Sequence, residues 1–197
     1  MDSQSISERK IQIIEATVRS IVKFGYYSFS MQDVAKLAGI SKGMIHYYFL
    51  NKDDLMLGVL KYLVNSIEKD LLNIAASSDT CEERLRSCLS YLFSISNKRK
   101  EYYHISITFW DQIGIKATIK ETIEDNLIRF SRPIEAIISQ GVKDKVFQVK
   151  SVKDFSQMIV ASVDGINRYK VFTKEEQIFS YKQNEFINMI FSCIKKK

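Results

Sequence analysis

The sequence has one proline and seven glycines among 197 residues. So few breakers exclude collagen-like, linker-rich and low-complexity chains. They also argue against a strand-and-turn architecture, which needs a turn every ~8–12 residues. Cysteine is equally sparse: Cys81, Cys88 and Cys193 are an odd, scattered set. No disulfide framework is expected, and a reducing compartment fits. Two histidines leave little from which to build a metal site, and none is expected. No apolar run approaches the ~18 residues of a membrane span. The segment from Met1 to Ser7 is polar and lacks the apolar stretch of a signal peptide. The reading is cytoplasmic, with no membrane partner. A glycine-rich phosphate loop, an HExxH pair, a nucleophile elbow and a CxxC pair are all missing. The sequence therefore offers no catalytic residue and no cofactor, and an enzyme is not expected.

What is present is globular: 46% hydrophobic and 26% charged residues. A chain of this length suits one compact domain, or a small domain joined to a larger one. The apolar residues recur with a helical period almost everywhere. Ile11, Ile14, Val18 and Ile21 step by threes and fours before Gly25 stops that helix. Met56, Leu60, Leu63, Ile67 and Leu71 form a second stripe, and Phe155, Ile159, Val163 and Ile166 a third. The last stripe, from Phe179 to Ile194, is wide enough to face two neighbours.

Capping patterns punctuate these stripes. A hydroxyl that accepts from the third backbone N–H, with a carboxylate reaching back, marks a helix start. Ser5 with Glu8, Thr80 with Glu83 and Thr173 with Glu176 fit the pattern. Ser30 with Asp33, Asn51 with Asp54 and Ser151 with Asp154 fit it more loosely. Pro133 falls inside a helical stretch and predicts a kink or break. The fold class is all-α, with about nine helices.

Function concentrates between Ser30 and Leu55, SMQDVAKLAGISKGMIHYYFLNKDDL. A first helix is predicted from Met31 to Ala38, a turn at Gly39, a cap at Ser41, and a second helix from Lys42 to Phe49. The small Ala35 lets two helices cross closely, Gly39 tolerates a positive φ, and Ile45 packs the second helix onto the first. That is the spacing of a helix-turn-helix, whose second helix enters the DNA major groove. Lys42, His46, Tyr47 and Tyr48 crowd the exposed side of that short helix. Lys42 can donate to phosphate or guanine, tyrosine hydroxyls can reach phosphate oxygens, and Gly43 allows close backbone approach. Lys52, at the next helix start, adds a cation where the N-terminus already favours phosphate. Packing is the competing role for the aromatics, and for Phe49 it is the expected one. From Val34 to Lys52 every charge is positive: Lys36, Lys42 and Lys52. The net charge of +6 permits an anionic partner.

The stretch from Gly25 to Leu55 resembles the DNA-binding signature of the TetR/AcrR family of bacterial transcription regulators. The resemblance implies a helix-turn-helix DNA-binding domain over residues 1–55 and a ligand-binding and dimerisation domain over 56–197. It implies a homodimeric, mostly repressing regulator that releases its operator when a small molecule binds. Carried over by position, Ser30 and Gln32 would face phosphate, and Lys42, Gly43, Met44 and His46 the bases. Tyr47, Tyr48 and Lys52 would hold the backbone, with Ser41 capping the recognition helix. Met44 stands where the family usually has a small hydroxyl residue, and His46 where it usually has tyrosine, so base preference should differ. The last two helices, about 151–172 and 174–195, resemble the family's four-helix dimer interface. One recognition helix per chain reads few base pairs, so double-stranded DNA with a pseudo-palindromic operator is the expected partner.

Between Lys100 and Gly114, KEYYHISITFWDQIG gathers Tyr102, Tyr103, Phe109 and Trp110. Aromatics with a few polar groups suit a small-molecule pocket, and Asp111 could orient a ligand there. Tyr91, Phe130 and Tyr169 are further candidates. The near absence of charge between Glu101 and Asp111 points to a hydrophobic effector, since an anion would need buried cations. The alternative is a helix-turn-helix protein without a small-molecule ligand.

Overall fold

Why the chain folds as it does is clearest at its helix ends. In the computed structural model, which describes residues 3–25, 27–110, 117–172 and 176–195, nine helices follow one another among the described residues. They are α1 (Ser3–Phe24), α2 (Met31–Ala38), α3 (Lys42–Tyr48), α4 (Lys52–Ala75), α5 (Cys81–Lys98), α6 (Lys100–Trp110), α7 (Ala117–Lys143), α8 (Val152–Phe172) and α9 (Glu176–Ile194). Ser30 and Asp33 form a full capping box on α2, as do Thr80 and Glu83 on α5. The Asn51 side chain accepts from the Asp54 N–H, and the Ser151 hydroxyl from that of Asp154. Each such cap contributes about 1 kcal/mol. Gly25 at φ 83° and Gly39 at φ 66° end α1 and α2 in the left-handed region, as expected.

One expectation needs correction and another is narrowed. α1 is already helical at Ser3, so Ser5 lies inside the helix and not at its N-cap position. Neither Ser3 nor Gln4 is a breaker, and extending a nucleated helix adds a backbone bond for each residue fixed. Of the kink or break expected at Pro133, the break does not occur, because α7 runs through it. The ring removes the N–H that would have bonded to the Arg129 carbonyl. Buried Phe130, Ser131, Ile134, Ile137 and Ile138 hold both sides of that gap in the core. Thr173 lies outside the described residues, so its pairing with Glu176 is not seen.

α1, α2 and α3 form a small bundle against the first turns of α4. The rest of α4 packs with α5, α6 and α7, while α8 lies along α5 and α7, and α9 along α5 and α8. One continuous apolar core joins both parts, from Ile13 and Val34 to Ile190 and Ile194. The joint between α3 and α4 is tight. Phe49, the C-cap of α3, is buried against Gly58, where a Cβ would come within 2.8 Å of the ring. No strand occurs among the described residues, and one antiparallel bridge ties Phe147 to Lys195. No described helix is long and apolar enough to cross a membrane.

Candidate functional site

The short α3 exists because its neighbours hold it. Ser41 caps it by accepting from the Met44 N–H at 3.1 Å, and Ile45 is fully buried against α2. The Phe49 N–H closes its last turn onto the Ile45 carbonyl at 2.9 Å. With Ile45 turned inward, Lys42, Gly43, Met44, His46 and Tyr47 are all exposed on one convex surface. Tyr47 is 69% exposed and meets Tyr48, half-buried, edge-on at 5.1 Å between centroids. Phe49 goes to the core, as the sequence indicates.

The flanks of this surface are polar and fixed. Ser30 and Gln32 are exposed at the start of α2. The Ser30 hydroxyl donates to Asp33 at 2.6 Å, and that bond holds the Asp33 carboxyl below its ordinary range. Lys52 is half-buried: its ammonium donates to the Phe29 carbonyl at 2.9 Å and lies 4.0 Å from the Phe29 ring centroid. Burial lowers its pKa. It therefore pins the loop before α2 as well as standing at the start of α4. Two residues that sequence reasoning passed over belong to the same region. Tyr27 is 81% exposed and Leu50 is 83% exposed. Both lie in turns, where no periodicity marks them.

A second feature lies among α6, α7 and α8. A cavity of about 360 Å³ is lined by Tyr102, Ser106, Glu124, Asn126, Leu127, Phe130, Val160, Ala161, Asp164, Gly165 and Arg168. Of the aromatics expected at a ligand site, Tyr102 and Phe130 stand in this wall, 6.2 Å apart between centroids. Tyr91 instead donates to Asp70 of α4 at 2.5 Å, and burial with that bond pushes its phenol up to about 12. Tyr103 is buried behind the wall, its hydroxyl accepting from Asn167 at 3.0 Å. Tyr169 is 67% exposed on the outer side of α8. The helical period gathers these rings on neighbouring turns, but their faces point to different partners. Phe109 and Trp110 end α6, and their side chains lie outside the described residues, as does Asp111 entirely.

α4 packs against the cavity's wall helix α7 and, at Gly58, against the Phe49 C-cap of α3. The Arg129 guanidinium, on α7 beside the cavity residues Asn126 and Phe130, donates to Glu68 at 2.9 Å and to Asn65 at 2.6 Å, both on α4. Nearer the N-terminus of α4, Tyr62 donates to Glu15 of α1 at 3.0 Å. Cys81 and Cys88 are buried. Burial pushes the Cys88 thiol up to about 12, so it stays un-ionised at neutral pH. No metal-holding cluster of His, Cys, Asp or Glu occurs among the described residues.

An all-α chain with a capped helix-turn-helix at its N-terminus and a larger helical body behind it has the architecture of a DNA-binding regulator. Residues 13–59 match the model of bacterial regulatory proteins, tetR family. The fatty acid metabolism regulator protein of Bacillus subtilis is 23% identical over 192 residues, covering 95% of this chain and 96% of that one. The structure of FadR from Bacillus subtilis in complex with stearoyl-CoA superposes with a TM-score of 0.72 at 22% identity, over 92% of this chain and 97% of that one. A transcriptional regulator from Saccharomonospora viridis in complex with choline superposes at 0.81 with 21% identity, over 97% of this chain and all of that one (100%). Residues 13–59 are thus similar to the tetR family of bacterial regulatory proteins, and the chain as a whole shares the fold of these structures.

Proposed function

We propose that the chain is a homodimeric, cytoplasmic repressor that releases double-stranded operator DNA when a hydrophobic small molecule enters the cavity among α6, α7 and α8. Residues 1–55 are the DNA-binding domain and 56–197 the ligand-binding and dimerisation domain. The observation that carries the reading is the tie between cavity and DNA surface. A wall helix of the cavity holds α4 through Arg129, and α4 begins in the joint that seats α3. A molecule that needs α7 displaced favours a different setting of α4. A ligand shifts such an equilibrium only by its differential affinity for the two states.

On the DNA, Lys42, Gly43, Met44 and His46 meet base edges, while Ser30, Gln32, Tyr47, Tyr48 and Lys52 hold phosphates, and Ser41 sets the helix. Two copies place two such helices about one helical turn apart. The partner surface is the outer side of α8 and α9. Met158, Ala161, Ser162 and Tyr169 on α8 are exposed, as are Met189 and Cys193 on α9. A groove of about 770 Å³ between Phe155, Met158 and Cys193 opens on the same side. An operator selected from random duplexes, followed by sedimentation of free and bound protein, tests this. The expected result is a pseudo-palindrome bound by an even number of chains. A monomer at micromolar concentration, on an asymmetric site, contradicts it.

A further inference from the structure

We propose that the cavity takes an uncharged molecule with an apolar body and one hydrogen-bonding group, a hydroxyl, carbonyl or amide, held by Tyr102 and Asn126. This rests on the reading of the cavity as the effector site. The lead observation is a pair of polar side chains that line the cavity without a hydrogen bond to any described residue. Tyr102 is 4% exposed and Asn126 is 7% exposed, and both stand in the wall of this one cavity. Neither the Tyr102 hydroxyl nor the Asn126 carboxamide has a hydrogen-bond partner among the described residues. Buried polar side chains are otherwise satisfied in almost every case, because an unmade bond costs much more than a made one returns. Asn167, in the layer behind, spends its amide on the Leu92 carbonyl at 2.8 Å and on Tyr103 at 3.0 Å, while its Oδ1 is buried without a partner among the described residues and outside the cavity wall.

The two groups complement one kind of ligand. A phenol and a carboxamide each donate and accept, so they suit a neutral oxygen or amide. Burial raises the Tyr102 pKa, with Asp164 adding to the effect, so the phenol stays protonated and able to donate. Ser106, 2% exposed, spends its proton on the Tyr103 carbonyl at 3.2 Å and offers only lone pairs. Leu127, Phe130 and Val160 supply the apolar remainder.

The charged residues of the wall argue against an ion. Arg168 donates to Asp164 at 2.8 Å, so that pair already cancels. Glu124 is exposed at the rim. Among the described residues of the wall a carboxylate ligand would meet no uncommitted buried cation, and a buried charge without a partner is costly. A quaternary ammonium could use the faces of Tyr102 and Phe130, but it would leave the phenol and amide unused. The ligand class thus differs from both stearoyl-CoA and choline, which the two related structures hold.

The test is calorimetric titration of the full chain with four matched probes: decanol, decanamide, decanoate and decyltrimethylammonium. Decanol and decanamide should bind, and the two ions should bind at least tenfold more weakly. Tyr102→Phe and Asn126→Leu should each weaken the neutral probes about tenfold, which is the loss of one buried hydrogen bond, about 1.4 kcal/mol. Asn126→Leu should also raise the unfolding midpoint of the ligand-free protein, since it removes an unpaired buried amide. A merely structural asparagine would give a lower midpoint. Equal or tighter binding of either ion overturns the proposal, as does neutral binding that ignores both substitutions. Binding of no neutral probe overturns the ligand class, while the regulator reading then stands or falls on operator binding alone.

Discussion

Lys42 and Lys52 carry the same charge ten positions apart in the sequence, and their surroundings assign them different work. Lys42 is exposed on the first turn of α3. Lys52 is half-buried, with its ammonium on the Phe29 carbonyl. Lys42→Ala should leave thermal stability unchanged, relax base preference at one operator position and cost about 1–3 kcal/mol on the best site. Lys52→Ala should weaken all sequences alike, reduce the salt slope by about one unit and lower the unfolding midpoint, because the loop before α2 loses its anchor. Fluorescence anisotropy with cognate and scrambled duplexes across a salt series separates the two. Equal losses on both duplexes for Lys42→Ala would make it a phosphate contact and remove it from base reading.

At the scale of elements, α4 is held by α1, α5, α6 and α7. Glu15 reaches it at Tyr62, Arg129 at Asn65 and Glu68, and Tyr91 and Arg99 at Asp70. Arg129→Gln keeps a donor toward Asn65 but ends the ion pair. Operator affinity without effector should change less than threefold, while the effector-induced loss should shrink by tenfold or more, or about 1.4 kcal/mol of coupling. Unchanged induction in Arg129→Gln would place the coupling elsewhere. How much of this was legible in the sequence follows from range. The caps at Ser30, Thr80 and Asn51 could be read because each is settled by residues within three positions. The turn at Gly39 and the inward Ile45 were legible for the same reason. Pro133 left a kink and a break as alternatives, and burial on both sides, not local propensity, keeps α7 unbroken there. The aromatic richness of the Lys100–Trp110 helix was visible, and Tyr102 and Phe130 do face one cavity. That Tyr91 turns to Asp70 and Tyr103 to Asn167 was not, since the neighbouring helix decides which side of a turn is inward. Asn126 and Arg129 gave no signal at all, because an asparagine or arginine in a charged helix reads as solvated. Their roles depend on residues such as Glu68, 61 positions away.

At the scale of the whole molecule, three surfaces lie apart that no single helix connects: the exposed side of α3, the α6–α7–α8 cavity, and the outer side of α8 and α9. Gly165 belongs to the second and is open to the third. A Cβ there would meet nothing within 4 Å, so the glycine is not required for packing within the chain. If the exposed side of α8 is the partner surface proposed above, ligand, dimer and operator are linked equilibria. Linkage then fixes a quantity independent of any structural detail: the factor by which a cavity ligand weakens operator binding equals the factor by which operator weakens the ligand. The most direct test measures both, by titrating operator at saturating decanol and decanol at saturating operator with the full chain. Equal factors of tenfold or more are expected in the two titrations. A probe that binds the cavity with full affinity and leaves operator binding unchanged would contradict the coupling of cavity to operator.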